Sequence, residues 1–352
     1  MIDRDHVTTN DGRMLAFEVS GKPDGFPVFL LHGTPGSKSG PKPRPIYLYR
    51  SGVRLICYDR PGYGESARLP GRSVASAAYD VEAIANKLGL DRFAVVGRSG
   101  GGPHALACAS ILESRITKTS VLVSIAPASA PDLDWYGGMT AANVEEYNAA
   151  DSDLDDLIER LTTRTNDVRV NPETMLDFLR SQMSECDLPI VEDIAIRRLL
   201  HTTYREALQD GPEGWIDDVL AFRKSWGFGL NSFTTPVLLW HGQDDTFSPV
   251  SHTYWLQKQL LNAQVRVQPR ASHFGAVPVL PEVLDWLTDP GEKGHGTDSM
   301  TVSIADSTAD STADSIADST DSVTDSMTDA VSRTPTVTNG AWRPHVAEHR
   351  LG

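Results

Sequence analysis

The feature that most constrains the fold of this chain is a strand, a glycine-rich turn and a helix that follow one another over residues 92–109. An apolar, β-prone run at residues 93–96 leads directly into the sequence GRSGG, and a helix-forming run follows it. Gly97 and Gly101 have no side chains, so a strand and a helix can pack closely around a sharp turn. The pattern predicts that Ser99 occupies a strained turn position, where nucleophiles are commonly found. An ordinary glycine-rich turn is the alternative interpretation.

Strand-like and helix-like segments alternate along much of the chain. Short apolar runs that end at loops rich in glycine or proline are typical of strands buried in a parallel sheet. Such runs lie at residues 28–31, 53–58, 93–96, 119–126, 237–240 and 265–268. Helical patterns lie at residues 75–88, 251–261 and 281–287, and the pattern at residues 6–19 predicts a hairpin. The sequence therefore predicts an α/β fold, a mostly parallel sheet with helices on both faces.

The alternation stops between residues 127 and 230, where helical segments follow one another without a convincing strand. These segments are predicted at residues 153–165, 172–185, 190–209 and 213–226. We expect residues 1–127 and 231–290 to form the α/β core, and residues 128–230 to form an inserted helical cap. Such a cap would cover the edge of the sheet at which open α/β folds bind ligands.

The composition changes completely from residue 291. A four-residue unit, Ala-Asp-Ser-Thr with one isoleucine in place of threonine, occurs four times between residues 305 and 320. Large apolar side chains are scarce there, so burial cannot offset the entropy cost of ordering the segment. Residues 291–352 are predicted to be a disordered acidic tail without a part in chemistry, and a specific binding tail is the alternative.

The charge and cysteine content exclude several classes of protein. A net charge of −15 without an evident basic patch argues against nucleic-acid binding. The first residues are polar, and no apolar run approaches the roughly 18 residues that a membrane span needs, so we expect a cytoplasmic protein. Cys57, Cys108 and Cys186 are too few and too scattered for a disulfide framework or a metal site. No metal or organic cofactor is predicted.

The side chains that could activate Ser99 lie where later strands end. A serine hydroxyl needs a base to take its proton, and that base needs an acid to fix its tautomer. His273 follows the last predicted strand, and Asp244 and Asp245 follow the strand before it. Asp132, after an earlier strand, is a further candidate for the acid.

The loop after the strand at residues 28–31 reads HGTPG, and it is a candidate for binding negative charge. The backbone N–H of Thr34 could stabilise a developing oxyanion, whereas Pro35 has no N–H to donate. Two other polar residues are interpreted as structural. Asp59 precedes a Pro-Gly turn and is expected to cap backbone N–H groups, and His104 lies beyond the active end of the helix that follows Ser99.

Five segments together resemble the α/β-hydrolase superfamily, and the resemblance covers residues 1–290. The segments are HGTPG at 32–36, DRPGYGES at 59–66, GRSGG at 97–101, HGQDDTFSP at 241–249 and ASHFG at 271–275. The resemblance implies the chain order of nucleophile, acid and base, which is Ser99, Asp245 and His273 here. The family usually places its acid four residues before the proline of that loop, which selects Asp245 over Asp244. It also implies an oxyanion site formed by the N–H groups of Gly100 and Thr34.

The resemblance implies acyl transfer to a serine, and the hydrolysis of a small-molecule carboxylic ester is our first expectation. A serine at position 99 argues against haloalkane dehalogenases and epoxide hydrolases, which have aspartate there. Proline iminopeptidases are similar in layout but typically carry HGGPG and GGSWG. Their amine-binding cap acids cannot be placed in this sequence: Glu145 and Glu146 are a loose candidate, and we interpret them instead as a solvated helix face. Aminopeptidase activity, C–C bond hydrolysis and a non-catalytic binding protein on the same scaffold remain alternatives.

Overall fold

The fold is described from a computed structural model of the chain, over residues 2–289; the predicted tail at 291–352 lies outside the described residues. Within that range eight strands form one sheet in the order β1-β2-β4-β3-β5-β6-β7-β8. The strands are β1 (Ile2–Thr8), β2 (Met14–Gly21), β3 (Phe26–Leu31), β4 (Val53–Tyr58), β5 (Phe93–Arg98), β6 (Ile116–Leu122), β7 (Val237–Gly242) and β8 (Ala263–Gln268). The β1–β2 pair is antiparallel, which is the hairpin predicted at 6–19; the β2–β4 pair is also antiparallel, and the others are parallel.

Helices cover both faces of the sheet, because the central strands are apolar on both sides. The helices that flank the sheet are α1 (Pro45–Arg50), α2 (Ser76–Lys87), α3 (Gly101–Ile111), α10 (Val250–Gln259) and α11 (Leu280–Thr288). Alternate residues of a strand point to opposite faces. In β5, Val96 packs with α1 and α11, whereas Val95 packs with α2 and α3. The predicted α/β architecture is confirmed.

The strand predicted at 119–126 is displaced in the structure, where β6 covers Ile116–Leu122. Val123 ends the strand with a φ of +46°, a backbone conformation that an extended strand does not contain. The run that follows is apolar for another reason. Val123 and Ile125 line a cavity beneath the inserted helices, so their burial is tertiary and not a property of the sheet.

The chain between β6 and β7 is helical, as predicted. Its helices are α4 (Ala141–Ser152), α5 (Leu154–Val170), α6 (Glu173–Arg180), α7 (Leu188–Glu192), α8 (Ile194–Ala207) and α9 (Glu213–Arg223), with a 3-10 turn at Glu185–Asp187. The segment predicted as one helix at 190–209 is divided at Asp193, whose carboxylate caps the start of α8. Helix α4 was not predicted, because only Ala149 of its twelve residues is fully buried and the apolar stripe is weak.

The inserted helices share an apolar cluster with the loops at the carboxyl end of the sheet. Leu157, Leu161 and Trp215 of the inserted segment belong to the same buried cluster as Phe247 and Phe274, which follow β7 and β8. This packing seats the helical cap over the loops that carry the candidate site residues. Within residues 2–289, no helix combines the length and the apolar character that crossing a membrane requires.

Candidate active site

Ser99 lies in the turn between β5 and α3 with a φ of +54°, which a residue with a side chain adopts only at a cost. The surrounding backbone holds this conformation. The Ser99 N–H donates to the carbonyl oxygen of Leu122 at 2.8 Å, and the Ser99 carbonyl accepts from Gly102 N–H at 2.9 Å. Helix α3 begins two residues later, so its positive end lies beside the Ser99 backbone. The strained turn position predicted for Ser99 is therefore present.

The structure brings Asp245 and His273 together, although they lie in different loops. His273 begins a 3-10 turn at His273–Ala276, and its Nδ1 lies 2.8 Å from Asp245 Oδ2. The other carboxylate oxygen accepts the N–H groups of Phe247 and Ser248 at 2.8 and 3.0 Å. Asp245 is thereby fixed by its own loop, with one oxygen left to orient the imidazole.

The electrostatic surroundings of Asp245 keep its carboxyl ionised. Burial alone would raise the pKa of Asp245, but the rings of His273 and His241 beside it hold that pKa well below its usual range. The carboxylate is fully buried, whereas the His273 side chain keeps 15% of its surface exposed. An imidazole beside a permanent carboxylate is stabilised when it takes up a proton.

The two alternative acids lie elsewhere. Asp244 is exposed, and its carboxylate lies 3.5 Å from Cys186 Sγ. Asp132 is exposed in the loop between β6 and α4, with a φ of +60°. Neither aspartate contacts His273 among the described residues, so the geometry favours Asp245.

The segments that carry Thr34 and Gly100 are in direct contact. A Cβ atom added at Gly100 would overlap Thr34 Oγ1, so only glycine permits this approach. Among the described residues, neither backbone N–H donates to a hydrogen-bond acceptor. Two free N–H groups beside Ser99 are what an oxyanion site requires.

Thr34, Gly100, Ser99 and His273 all belong to the lining of one cavity of about 120 Å³, which lies between the sheet and the cap helices. The walls of this cavity combine polar and apolar surface in similar amounts. The apolar lining includes Met175, Phe178, Leu179, Trp215, Phe222, Phe247 and Val277. The Ser99 hydroxyl has no hydrogen-bond partner among the described residues, and contacts between nucleophile and base commonly tighten only with substrate bound. Within residues 2–289, no group of three His, Cys, Asp or Glu side chains is arranged to hold a metal ion.

A strained serine, a carboxylate-oriented histidine and a capped parallel sheet agree with the comparison with known proteins. Residues 27–277 match the family described as having the alpha/beta hydrolase fold. The chain belongs to the alpha/beta hydrolase family. The resemblance inferred from the five sequence motifs is thereby confirmed.

The relatives of this hydrolase include more than one kind of enzyme. A bifunctional esterase/perhydrolase of Acinetobacter calcoaceticus is 24% identical over 69% of this chain and 83% of that protein. A proline iminopeptidase of Neisseria meningitidis serogroup A is 25% identical over 79% of this chain and 93% of that protein. A thermophilic esterase of Thermogutta terrifontis has a similar fold, with a TM-score of 0.58, 22% identity, and coverage of 81% of this chain and 98% of that one.

The HGTPG loop of the hydrolase is held by a buried carboxylate of the cap, Asp218 on α9. Its oxygens accept from Arg60 Nη2 at 2.5 Å, Arg72 Nη1 at 2.6 Å, Thr34 Oγ1 at 2.6 Å and the Tyr63 hydroxyl at 2.8 Å. We call these five residues the Asp218 network. It joins the cap to the loop that carries one candidate oxyanion donor.

Arg60 extends the Asp218 network to the loop backbone. Its guanidinium donates to the carbonyl oxygens of His32 and Gly33, the latter at 3.1 Å. Burial alone would raise the pKa of Asp218, but Arg60 and Arg72 hold it well below its usual range. Sequence reasoning missed this network, because Arg60 and Asp218 are 158 positions apart and no local pattern connects them.

The other residues interpreted as structural behave as expected. Asp59 accepts from the Lys38 N–H at 2.7 Å and from the Glu65 N–H at 3.2 Å, and it also pairs with the Lys38 ammonium. His104 is buried, with Nε2 3.3 Å from Asp218 Oδ1. A further contact was missed: the buried Asp187 of the cap accepts the Phe274 N–H at 2.8 Å and so supports the loop that carries His273.

The interpretation of Glu146 as part of a solvated helix face is wrong. Its side chain lines the cavity and is only 15% exposed, whereas Glu145 is 61% exposed and pairs with Arg160. Glu146 accepts from Trp215 Nε1 at 3.0 Å and lies 3.7 Å from an Arg164 nitrogen. Burial raises the pKa of Glu146 to about 7, against the opposing effect of Arg164. A tertiary contact with Trp215, invisible in the helical pattern of α4, places this carboxyl inside.

We expect Asp218→Asn to lower the free energy of unfolding by about 3–5 kcal/mol, because it leaves two buried guanidinium groups without a counter-charge. The measurement is the urea midpoint. Asp217→Asn is the matched control on the same helix turn. Asp217 pairs with Arg68, which is 42% exposed, so its loss should cost about 1 kcal/mol. Equal effects of the two variants would contradict the structural role given to Asp218.

We expect Glu146→Gln to change the pH dependence of stability. The folded-state pKa is raised, so wild-type stability is full below the ordinary glutamate pKa and declines as the pH rises through about 7. The glutamine of the variant does not titrate. The stability of the variant relative to the wild type should therefore rise by roughly 2–3 kcal/mol between about pH 5 and pH 8, and the measurement is the Tm of both proteins across this range.

The control for this pH series is Glu145→Gln, in which the changed carboxyl is exposed to water. Its Tm difference from the wild type should stay small and nearly constant with pH. A constant difference for Glu146→Gln as well would show that the Glu146 carboxyl does not change charge in this range.

Proposed function

We propose that the chain is a serine hydrolase that cleaves a small-molecule carboxylic ester through an acyl-enzyme intermediate. The observation that carries this proposal is the 2.8 Å contact between His273 Nδ1 and the buried Asp245 carboxylate, since His273 lines the same cavity as Ser99. That contact leaves His273 Nε2 as the nitrogen available to Ser99. The arrangement supports the roles of nucleophile, base and acid for the three residues.

In the proposed mechanism, His273 takes the proton of the Ser99 hydroxyl while the oxygen attacks the ester carbonyl. The N–H groups of Gly100 and Thr34 donate to the oxyanion that forms, and one such donor typically contributes about 10²–10³ in rate. The protonated imidazole, stabilised by Asp245, gives its proton to the departing alcohol. Water then attacks the acyl-enzyme with His273 again as the base, and Ser99 is regenerated.

An ester is favoured by the apolar side chains in the lining of the cavity, which suit an uncharged acyl chain, and by the esterase among the relatives. A second candidate is the removal of an N-terminal residue from a peptide, which has its own observation. Glu146 places a carboxyl in the cavity, and a carboxylate could bind a substrate ammonium group. The relatives include a proline iminopeptidase. Glu146 is already engaged with Trp215 and Arg164, so we rank this candidate second.

The test is the hydrolysis of p-nitrophenyl esters of graded chain length beside proline β-naphthylamide. We expect ester turnover that falls by about 10⁵-fold or more, to background, in Ser99→Ala. Asp245→Asn should lower kcat by about 10³–10⁴-fold, because it no longer stabilises the imidazolium. Asp244→Asn is the neighbouring control. It should change kcat by less than about threefold, because the exposed Asp244 side chain does not reach His273.

Three outcomes would contradict the proposal. Turnover of the prolyl amide without ester turnover would favour the aminopeptidase candidate. A larger loss with Asp244→Asn than with Asp245→Asn would overturn the choice of acid. Absence of labelling of Ser99 by a fluorophosphonate, together with absence of turnover, would indicate a binding protein on a hydrolase scaffold.

A further inference from the structure

Arg98 is a charged residue of the cavity to which the proposed mechanism gives no role. It is the last residue of β5 and directly precedes Ser99. By strand alternation its side chain continues the row of Ala94 and Val96, which face α1 and α11. The Arg98 side chain therefore starts at the carboxyl end of the sheet, on the face opposite α3, from the residue next to Ser99.

The guanidinium of Arg98 has no partner of opposite charge. Among the described residues, no carboxylate lies within 4.0 Å of it and no acceptor hydrogen-bonds to it. Burial lowers the pKa of Arg98, and among the described residues Tyr204 is the titratable side chain that raises that pKa against the effect of burial. The buried guanidinium groups near the site, those of Arg60 and Arg72, both pair with Asp218. Arg98, which is partly buried, differs from them in having no such partner among the described residues.

The free guanidinium faces open space. Unpartnered nitrogens of Arg60 and Arg72 are sealed by surrounding atoms, whereas those of Arg98 are not. Arg98 lines both the cavity that contains Ser99 and a smaller adjoining cavity. The other cation of the smaller cavity, Lys38, donates to Asp59 and Glu65 at 2.7 Å each and is not free to bind an anion.

Arg98 is partly buried, which removes some of the water around its charge without supplying a counter-charge, so an anion bound beside it would be stabilised. We propose that Arg98 binds a carboxylate of the substrate, and that the natural ester carries this carboxylate on its acyl part, a few carbons from the reacting carbonyl. The planar guanidinium presents two parallel N–H donors that match a carboxylate. The Tyr204 hydroxyl, which also lines the cavity, is placed to add a donor. The substrate class, monoesters of short dicarboxylic acids, rests on the proposed esterase function.

Glu146 does not remove this anion site. It is the other charged side chain in the lining of the Ser99 cavity, but it is engaged by Trp215 and Arg164 and makes no ion pair with Arg98. The lining thus includes one carboxyl with partners from the cap, Glu146, and one cation, Arg98, that has no counter-charge among residues 2–289. A substrate anion bound at Arg98 supplies the missing counter-charge.

The experiment compares two esters of equal length, mono-p-nitrophenyl adipate and p-nitrophenyl hexanoate, with the full chain. The quantity compared is the preference for the adipate ester, which is its kcat/KM divided by the kcat/KM of the hexanoate ester. We expect Arg98→Met to lower this ratio by about 10- to 100-fold, mainly by raising the KM for the adipate ester. Arg98→Lys should restore part of that ratio. Arg266→Met, a partly exposed arginine on the edge strand β8, is the matched control and should leave the ratio unchanged.

Binding separates the failure of this proposal from the failure of the esterase function. Calorimetric titration of Ser99→Ala with glutarate needs no turnover, and Arg98→Met added to that variant should weaken binding by about 10- to 100-fold. Equal glutarate binding with and without Arg98, or an unchanged ester ratio, would overturn the proposal. Arg98→Met should also raise the Tm of the free protein, since it removes an unpaired charge; a fall in Tm would indicate a structural role instead.

Discussion

The site depends on the burial of one carboxylate, that of Asp218. Taking an acid out of water is unfavourable unless cations and hydrogen-bond donors surround it. Arg60, Arg72, Tyr63 and Thr34 supply them here. Because the acid belongs to the cap and most of its partners to the core, satisfying its charge also fixes the HGTPG loop. The position of a candidate oxyanion donor is therefore set by an ion pair whose members lie far apart in the chain.

The same physical constraint distinguishes the four charged groups around the cavity. Asp218 and Asp245 are buried but well partnered, and their pKa values are depressed. Glu146 has weaker partners, and burial raises its pKa to about 7. Arg98 has no counter-charge among the described residues. The first two are accounted for by the fold and the proposed mechanism. The last two are the groups through which the cavity can select a substrate by charge.

Much of the fold could be predicted from the sequence, since strand and helix periodicity and the turn residues are local signals. The sequence located Ser99 between β5 and α3, together with most of the helices. It failed where burial comes from tertiary packing. The apolar residues Val123 and Ile125 extended the predicted strand beyond β6, although they follow the strand and line the cavity under the inserted helices. Helix α4 was missed because it carries too weak an apolar stripe to be seen alone.

The sequence by itself determined the class of fold and three residues able to act together, because motif spacing and the order of elements are encoded along the chain. Local residue patterns left Asp244 and Asp245 as alternatives, and the tertiary structure supports the choice that the family resemblance implied, by placing Asp245 2.8 Å from His273 and leaving Asp244 exposed. Only the tertiary structure moved Glu146 from the predicted surface into the cavity and left Arg98 without a counter-charge in the described part of the chain. These outcomes depend on distances between residues that are far apart in the sequence. Those distances set how far the cost of burying a charge is offset by an opposite charge, and no local sequence pattern encodes them.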